Sequence, residues 1–492
     1  MGQLQEISGY LRFGAEKTRQ EAFWEALAEQ RYWHPGTGER RRLRNLNIRL
    51  DERLSAIALI KRLFPLLDDI EKVIGWRPGE RAFQVINWPS VSYIAAVPWL
   101  ESVARLDPGG VARGEFLRCV NGNTKTGVRG ETETRCFGFP REDFFELDGH
   151  MLHADAIASA KEDIFDEDRG SNARGNIIEG LKALSEVTNK IAASEFYAVL
   201  LMDGDRIGAL LRDHEAVVKA GLSFFTAAVK SYFLSPNKSN GVLVYAGGDD
   251  VLALLPLDTA IGAAEEIRQK YGEAFQRAID QTGGNGPMAD ELTMSAAVIF
   301  AQYKIPLRGV LRRAHHYLDD IAKDANGRDS LAIAVLKPGG VAADWVSCWQ
   351  RTTNPVQTLL GIAETLQRDP EFSSSFFYNI RERYGPLFDA REVAEAGSSG
   401  RDVPKAFADP RLIEAILSAE WSKGRSDKAG DDAEIAGERE TAVRRLMEVG
   451  RPLKRDNHGK VDPIAAYDFD GGLVARFLSQ QTRWHLGEED DG

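Results

Sequence analysis

Cysteine is scarce in this sequence. Its three cysteines, Cys119, Cys136 and Cys348, are widely separated in a chain of 492 residues, and none belongs to a Cys-x-x-Cys pair. This usage excludes a disulfide scaffold, gives no indication of a thiolate zinc site and is typical of a reducing compartment. We therefore expect a cytoplasmic protein. His150 and His153 could form a metal pair by their spacing, but they are explained more simply as surface residues.

Long apolar runs are also missing. No stretch of about 18 apolar residues is present, and the N-terminus lacks the basic and apolar pattern of a signal peptide. These features predict a protein that neither spans a membrane nor is exported. The net charge of −12 argues against a nonspecific coat on nucleic acid, but it permits a local basic patch or a divalent-cation site. One basic stretch, GERRRLRNLNIRLDER, either contacts RNA phosphates or forms a solvated surface.

Shifts in composition divide the chain into five segments. Helical patterns dominate both flanks, Gly-rich and Pro-rich loops interrupt them, and regular alternation is confined to the middle. The predicted segments are an N-terminal, largely helical region at 1–152, a helical connector at 153–194, a regular unit at 195–340, a C-terminal helical domain at 341–486 and an acidic tail at 487–492.

The regular unit has the element order of a ferredoxin-like fold. Apolar strands alternate with helices in the order βαββαβ, followed by one more helix and strand, which predicts an α+β domain with its helices on one sheet face. The predicted elements are a strand at 196–202, a helix at 207–233, a hairpin of strands at 242–246 and 251–255, a helix at 259–279, a strand at 292–300, a helix at 307–325 and a strand at 330–336.

Two carboxylates follow two glycines in the predicted hairpin, VLVYAGGDDVLALLPL. A tight turn explains Gly248 and Asp249, because two-residue hairpin loops favour Gly-Asp. It does not explain Asp250, since adjacent anions repel and tend to persist where a cation neutralises them. Asp203 ends the first strand in LLMDGDRIG, and that strand lies beside the hairpin in a ferredoxin-like sheet. Three converging carboxylates suit one or two Mg²⁺ or Mn²⁺ ions.

The residues around these acids are candidates for nucleotide binding. Gly204, Gly247 and Gly248 would let backbone N–H groups approach a triphosphate, and Asp205 lies in the same turn as Gly204. Divalent ions at such a site support phosphoryl transfer from a nucleotide. A purely structural alternative stays open, in which the Asp-Gly-Asp sequence caps the next helix and the hairpin is only a turn.

The motifs VYAGGDDVLALLPLD and LLMDGDRIG resemble the palm domain in the large subunit of type III CRISPR effector complexes, the CRISPR polymerase of the Cmr type. TMSAAVIFAQYKIPL and AKDANGRDSLAIAVL are similar to the segments that follow in that family, and the resemblance is most specific at 195–338. It implies a GGDD palm that converts ATP into cyclic oligoadenylate, a second messenger, when the complex binds target RNA. It also implies partners, namely the backbone and small subunits, CRISPR RNA and target RNA.

The resemblance also implies roles for particular residues, and it leaves other functions open. A stand-alone cyclase of the diguanylate-cyclase type is one alternative, although its motif usually has Glu in the acid pair, followed by Phe. A catalytically silent scaffold subunit is another. The implied roles are metal ligation by Asp203, Asp249 and Asp250, a backbone contact at Gly204, and contacts to the triphosphate by Lys323 and Arg328.

The sequence departs from the family pattern in three places. It has no His-Asp dipeptide, so an HD nuclease is not expected. Zinc is not expected either, because the positions of the family's zinc ribbon hold His34, Thr37, Ser55 and Ala58. The sequence starts too late to include the family's first palm. This predicts a split subunit whose other palm is on a separate chain or is supplied by a homodimer.

Overall fold

The computed structural model describes most of the chain beyond residue 88. The predictions for residues 1–88, which include the zinc-ribbon positions and the basic stretch, lie outside the described residues, as do those for Cys136 and the acidic tail. The described residues fall in one unit, Pro89–Gly492, and are 89–124, 147–160, 164–165, 172–235, 240–283, 286–288, 290–349, 354–368, 375–384, 409–424, 433–456, 459–464 and 467–481.

A six-stranded sheet lies at the centre of the described chain. Its strands are β1 (Phe196–Gly204), β2 (Val242–Gly247), β3 (Asp250–Pro256), β4 (Met294–Gln302), β5 (Ser330–Lys337) and β6 (Gly340–Cys348). Their order across the sheet is β2-β3-β1-β4-β5-β6. Neighbouring strands are antiparallel except β4 and β5. The arrangement of β1 to β4 confirms the predicted ferredoxin-like α+β fold, and β5 and β6 extend its sheet.

Helices surround this sheet. They are α1 (Val91–Leu106), α2 (Val111–Asn123), α3 (Ala154–Ser159), α4 (Ala173–Ser185), α5 (Ile207–Asp213), α6 (Glu215–Leu234), α7 (Ala260–Gln281), α8 (Leu307–His316), α9 (Pro355–Arg368), α10 (Ser375–Asn379), α11 (Pro410–Gly424), α12 (Ala433–Val449) and α13 (Asp470–Gln481). A π-helical segment, Tyr317–Ala325, continues α8. A small hairpin joins β7 (Leu453–Arg455) and β8 (Val461–Pro463). The single helix predicted at 207–233 is two helices, because His214 leaves helical geometry at φ −137°.

Helices cover both faces of the sheet, and the prediction of helices on one face is wrong. Leu200 and Met202 of β1 point into a core formed with α6 and α7. Tyr197 and Val199 point the other way, into a second core formed with α1 and α8. All four side chains are fully buried. A strand that is apolar on both faces must be covered on both, which the unbroken apolar run of β1 already required.

The C-terminal segment shares a core with the sheet. The predicted boundary at 340 falls inside the β5–β6 hairpin, where Gly340 turns the chain at φ +118° instead of ending the domain. Phe477 of α13 packs on Phe196 and Phe300, with ring centroids 4.9 and 5.6 Å apart. Gly339 and Gly340 therefore form a turn between two strands, and the described helices beyond it complete the sheet's core.

Helix α6 is long and apolar enough to cross a membrane by length and composition alone. In this fold it packs against α7 and β2, and Val218, Phe225 and Val229 on its inner face are buried. A core helix of a globular protein passes the same test, so one such helix is a weak indication of a membrane span.

Candidate functional site

The β2–β3 hairpin turns through a two-residue loop. Gly247 pairs with Asp250 across the hairpin, which leaves Gly248 and Asp249 as the loop. Gly248 has a φ of +65°, as the first central position of a type II′ turn requires, and glycine adopts this value without strain. A Cβ on Gly247 would collide with the hydroxyl of Tyr245, whose ring covers it. The turn accounts for the glycines and leaves Asp250 exposed at the start of β3.

Three carboxylates meet at this end of the sheet. The register pairs Met202 with Val251, so Asp203, the next residue of β1, lies beside the hairpin loop. Ligand oxygens of Asp203, Asp249 and Asp250 lie within 4.8 Å of one another. The convergence expected from the sequence is therefore present. Among the described residues, these three side chains form the group of potential metal ligands whose ligand atoms lie close enough together to hold one ion.

The electrostatic surroundings of the triad favour a cation. Burial raises the pKa of Asp249, and the neighbouring Asp250 raises it further. Burial also raises the pKa of Asp250, while His315 of α8 acts in the opposite direction. Because burial and mutual repulsion both disfavour ionised carboxylates, a cation bound between them would be strongly attracted. His315 could not be connected with this site from the sequence, because only the fold brings α8 close to the hairpin.

Lys323 lies against the triad. Its Nζ donates to Oδ2 of Asp203 and lies 3.9 Å from Oδ1 of Asp319. Burial lowers the pKa of Lys323 to about 8, and the guanidinium of Arg328 acts in the same direction. At this pKa the ammonium keeps its charge at neutral pH. Arg328 itself pairs with Asp324 at 3.8 Å, so the structure places it near Lys323 but on another carboxylate.

Gly204 marks the close approach of β1, the hairpin and α7. A Cβ on Gly204 would lie 2.8 Å from Cβ of Asp249, 2.9 Å from the hydroxyl of Tyr271 and 3.0 Å from Cγ1 of Ile207. Any larger residue would push the loop acid away from β1. Sequence reasoning selected Gly204 but missed Tyr271, because this tyrosine falls on the apolar face of α7 and its spacing is that of a core aromatic.

Asp205 does not act with the triad, which corrects its prediction as a nucleotide contact. The residue is 1% exposed. Its carboxylate accepts hydrogen bonds of 2.9 Å from the hydroxyls of Thr293 and Ser295 and from the backbone N–H of Asp329. Burial raises the pKa of Asp205 and these hydrogen bonds lower it. Asp205 therefore ties β1 to the start of β4 and to the turn before β5.

That turn carries a second buried carboxylate. Asp329 accepts hydrogen bonds from Nη2 of Arg268 at 2.9 Å and from Nη2 of Arg455 at 2.7 Å. Gly327, Arg328 and Asp329 have φ values of +85°, +73° and +48°. Positive φ is uncommon outside glycine, so the surrounding contacts must hold this turn in place. Since Arg455 belongs to β7, the C-terminal hairpin is fastened to the end of the π-helical segment.

A cavity of about 340 Å³ opens beside the hairpin loop. Its lining is mainly apolar, with the hydroxyls of Ser223 and Thr226 and the ammonium of Lys230 as its polar side-chain groups. Helix α6 contributes most of it, and the lining residues are Leu222, Ser223, Thr226, Ala227, Lys230 and Gly248. The sequence did not indicate this face of α6, because only the fold brings it to the loop.

His150 and His153 do not form a metal pair. His153 is 4% exposed, its Nε2–H donates to the carbonyl of Ser92 at 2.9 Å, and its ring packs on Tyr303. His150 is exposed, and its Nδ1 lies 3.0 Å from Oδ1 of Asp148. The surface position expected for both residues is correct for His150 and wrong for His153, which is part of the core between α1 and β4.

Comparison with known proteins relates this geometry to a family. Residues 196–332 match the family model described as "Cas10/Cmr2, second palm domain". "CRISPR system Cmr subunit Cmr2" of Pyrococcus furiosus is 33% identical over 177 residues, which cover 30% of this chain and 19% of that protein. "CRISPR system CMR subunit Cmr2" of Saccharolobus solfataricus is 32% identical over 94 residues, which cover 17% of this chain and 9% of that protein.

A solved structure aligns over a longer region. It is a chain in the cryo-EM structure of "the Type III-B Cmr-beta bound to cognate target RNA", with 15% identity and a TM-score of 0.44. The alignment covers 92% of this chain and 54% of the other, so this chain spans about half the length of that relative. Residues 196–332, which hold the three converging carboxylates and Lys323, match a second palm domain of the Cas10/Cmr2 family, and over its aligned part the chain is similar to Cmr2 subunits of the Cmr system.

Proposed function

We propose that this chain is the nucleotidyltransferase part of a type III CRISPR effector complex and that its palm converts ATP into cyclic oligoadenylate. The observation that carries the proposal is the convergence of Asp203, Asp249 and Asp250 at one end of a Cas10/Cmr2 second palm. A single acid at a strand end has simple structural explanations. Three acids that approach one another against their mutual repulsion call for a cationic ligand.

The triad fits a divalent cation such as Mg²⁺ or Mn²⁺. All its ligand atoms are carboxylate oxygens within 4.8 Å of one another. Such ions prefer hard oxygen ligands and commonly share their coordination with phosphate oxygens. Cations held there would lower the pKa of an attacking hydroxyl and neutralise charge on the phosphates.

The protein's own groups would bind and orient the nucleotide. Lys323 carries a positive charge at the edge of the triad, so it can exchange its contact with Asp203 for one with a triphosphate. The exposed backbone of Gly248 leaves room for a phosphate to approach the loop, because nothing lies within 4 Å of where its Cβ would be. The cavity between this loop and α6 would receive the nucleoside.

Polymerisation needs a second nucleotide opposite the first. The 3′ hydroxyl of one nucleotide attacks the α-phosphate of the other, and pyrophosphate leaves. Both reactants must be held in line at about 3–3.5 Å, which makes the step effectively unimolecular. We propose that a first palm, on another chain or on a second copy of this one, holds the acceptor nucleotide.

The proposal includes the other subunits of the complex, CRISPR RNA and target RNA as partners. A similar chain occurs in a structure of Cmr-beta bound to cognate target RNA. Binding of target RNA would then act as the signal that starts synthesis. A cytoplasmic location belongs to the same proposal and agrees with the low cysteine content.

The test compares wild-type protein with the double variant Asp249→Ala/Asp250→Ala in a complex reconstituted with its partner subunits, target RNA, ATP and Mg²⁺. We expect the variant to lose at least about 100-fold in product while it still assembles and binds RNA, since the metal ligands act only on chemistry. Asp320→Ala is the matched control, because this exposed acid pairs with His316 and not with the triad. It should stay within about twofold of wild type.

Other results would contradict the proposal. Near wild-type product from the double variant would refute the metal assignment. Product from GTP but not from ATP would favour a diguanylate-cyclase-like activity. A wild-type complex that binds target RNA but makes no product from either nucleotide would favour a silent scaffold.

A further inference from the structure

Tyr271 of α7 buries a hydroxyl group beside the triad. The residue is 1% exposed, and within the described chain its hydroxyl has no hydrogen-bond partner. Two aromatic rings fix its orientation, with centroids 5.1 Å away at Phe225 and 4.7 Å away at Phe275. The hydroxyl therefore cannot swing out to solvent without disturbing the core.

The hydroxyl points at the junction of β1 and the hairpin loop. It lies 2.9 Å from the position that a Cβ on Gly204 would occupy, and Cβ of Asp249 lies 2.8 Å from that same position. Burial and the charges of Asp249 and Asp205 all raise the pKa of Tyr271. The phenol therefore stays neutral and remains a hydrogen-bond donor.

A buried hydroxyl without a partner is costly, and phenylalanine would fill the same space without that cost. Of the two nearby acids, Asp205 already accepts three hydrogen bonds. Asp249 belongs to the triad and is half-buried. It is thus the acceptor for which the hydroxyl is positioned.

We propose that Tyr271 is a positioning residue, whose hydroxyl donates a hydrogen bond to the carboxylate of Asp249 when that carboxylate binds a divalent cation. This inference rests on the proposed function, since it assigns a role relative to the same metal ligands. A neutral donor orients a ligating carboxylate without competing for its charge, as partners of metal ligands commonly do. Gly204 is then required at the point where the two side chains approach each other.

The experiment titrates the full chain with Mn²⁺ by calorimetry and follows thermal unfolding in chelator and in Mn²⁺. Tyr271→Phe keeps the ring and removes only the hydroxyl. Tyr197→Phe is the matched control, because Tyr197 also buries an unpartnered hydroxyl within the described chain, but near the other end of β1 and on its opposite face. Asp249→Asn/Asp250→Asn reports whether the triad binds Mn²⁺ at all.

We expect Tyr271→Phe to weaken Mn²⁺ binding by about tenfold or more. Its unfolding midpoint in chelator should equal or exceed that of wild type, while the rise on adding Mn²⁺ should shrink. Tyr197→Phe should bind Mn²⁺ as wild type does. These results together support the positioning role, because loss of a purely structural contact would lower the midpoint in chelator.

Unchanged Mn²⁺ affinity in Tyr271→Phe, with binding lost in Asp249→Asn/Asp250→Asn, would overturn this inference and leave the proposed function standing. A lower midpoint in chelator with a matching loss of Mn²⁺ binding would overturn it as well, in favour of a packing role. Persistent Mn²⁺ binding in the double variant would instead overturn the metal site, and with it the proposed function.

Discussion

Two neighbouring clusters of carboxylates differ in the hydrogen-bond and ion-pair partners that compensate their negative charge. The closed cluster, Asp205 and Asp329, is at most 5% exposed, and its oxygens accept hydrogen bonds from hydroxyls, a backbone N–H and two arginines. The open cluster, Asp203, Asp249 and Asp250, is half-buried to exposed, and Lys323 contacts one of its members. The protein itself satisfies the closed cluster, whereas we propose that a cationic ligand neutralises the open cluster.

The difference between the two clusters shows that the position of an aspartate in a sequence motif does not determine its role. Asp203 and Asp205 are two residues apart in the same DGD sequence. The turn after β1 sends Asp205 inward to donors at the start of β4 and on the turn before β5, and leaves Asp203 half-buried beside the hairpin. A carboxylate whose partners are all internal stabilises the fold, whereas unmet charge indicates a binding site.

The comparison is tested most strongly by removing one charge from each cluster. Asp329→Asn keeps a side chain that tolerates positive φ, but it leaves Arg268 and Arg455 without their carboxylate. We expect the free energy of unfolding to fall by about 3 kcal/mol, because breaking a buried ion pair strands the remaining charge. Chemical denaturation of the full chain in chelator measures it.

The matched variant is Asp250→Asn in the open cluster. Its free energy of unfolding in chelator should stay within about 0.5 kcal/mol of wild type, since Asp250 is exposed and its nearest carboxylate neighbour repels it. Equal losses in the two variants would remove the distinction between the clusters.

The sequence predicted the open cluster better than the closed one. Strand periodicity and the GGDD hairpin were enough to place Asp203 beside Asp249, because both lie at the ends of adjacent strands. The structural role of Asp205 could not be recognised in the sequence, because its hydrogen-bond donors Thr293 and Ser295 follow almost ninety residues later. The cover on the second sheet face and the packing of Phe477 were missed for the same reason, as they depend on contacts between distant segments.

A smaller loss of stability is expected from a substitution at Gly204, where the open cluster contacts the core. Gly204→Ala places a methyl group 2.8 Å from Cβ of Asp249 and 2.9 Å from the hydroxyl of Tyr271. The hairpin must shift, at a cost of about 1–3 kcal/mol in the free energy of unfolding, and Mn²⁺ binding should weaken with it. Gly208→Ala is the control, because no atom lies within 4 Å of the added methyl. Wild-type Mn²⁺ binding by Gly204→Ala would show that the close approach does not matter.

The smallest effect concerns His153, a buried group satisfied by the protein away from both clusters. Burial lowers the pKa of His153 below its ordinary 6.5. As the pH falls below 6.5, His153 therefore takes up a proton in the unfolded chain before it does so in the folded chain. Between pH 6.5 and the pKa of the folded state, the free energy of unfolding falls by up to about 1.4 kcal/mol per pH unit. His153→Gln should flatten this slope in denaturation curves between pH 7 and 5. His150→Gln, at an exposed site, should leave it unchanged, and an equal slope in both variants would contradict the assignment.

The most direct test of the central claim is an anomalous difference map from crystals of the full chain grown with Mn²⁺ and a non-hydrolysable ATP analogue. The account predicts manganese density bounded by Asp203, Asp249 and Asp250, with phosphate oxygens on its open side and Lys323 moved from Asp203 to the triphosphate. Manganese density elsewhere in the chain, with the Lys323–Asp203 pair intact and no peak among the three carboxylates, would contradict it.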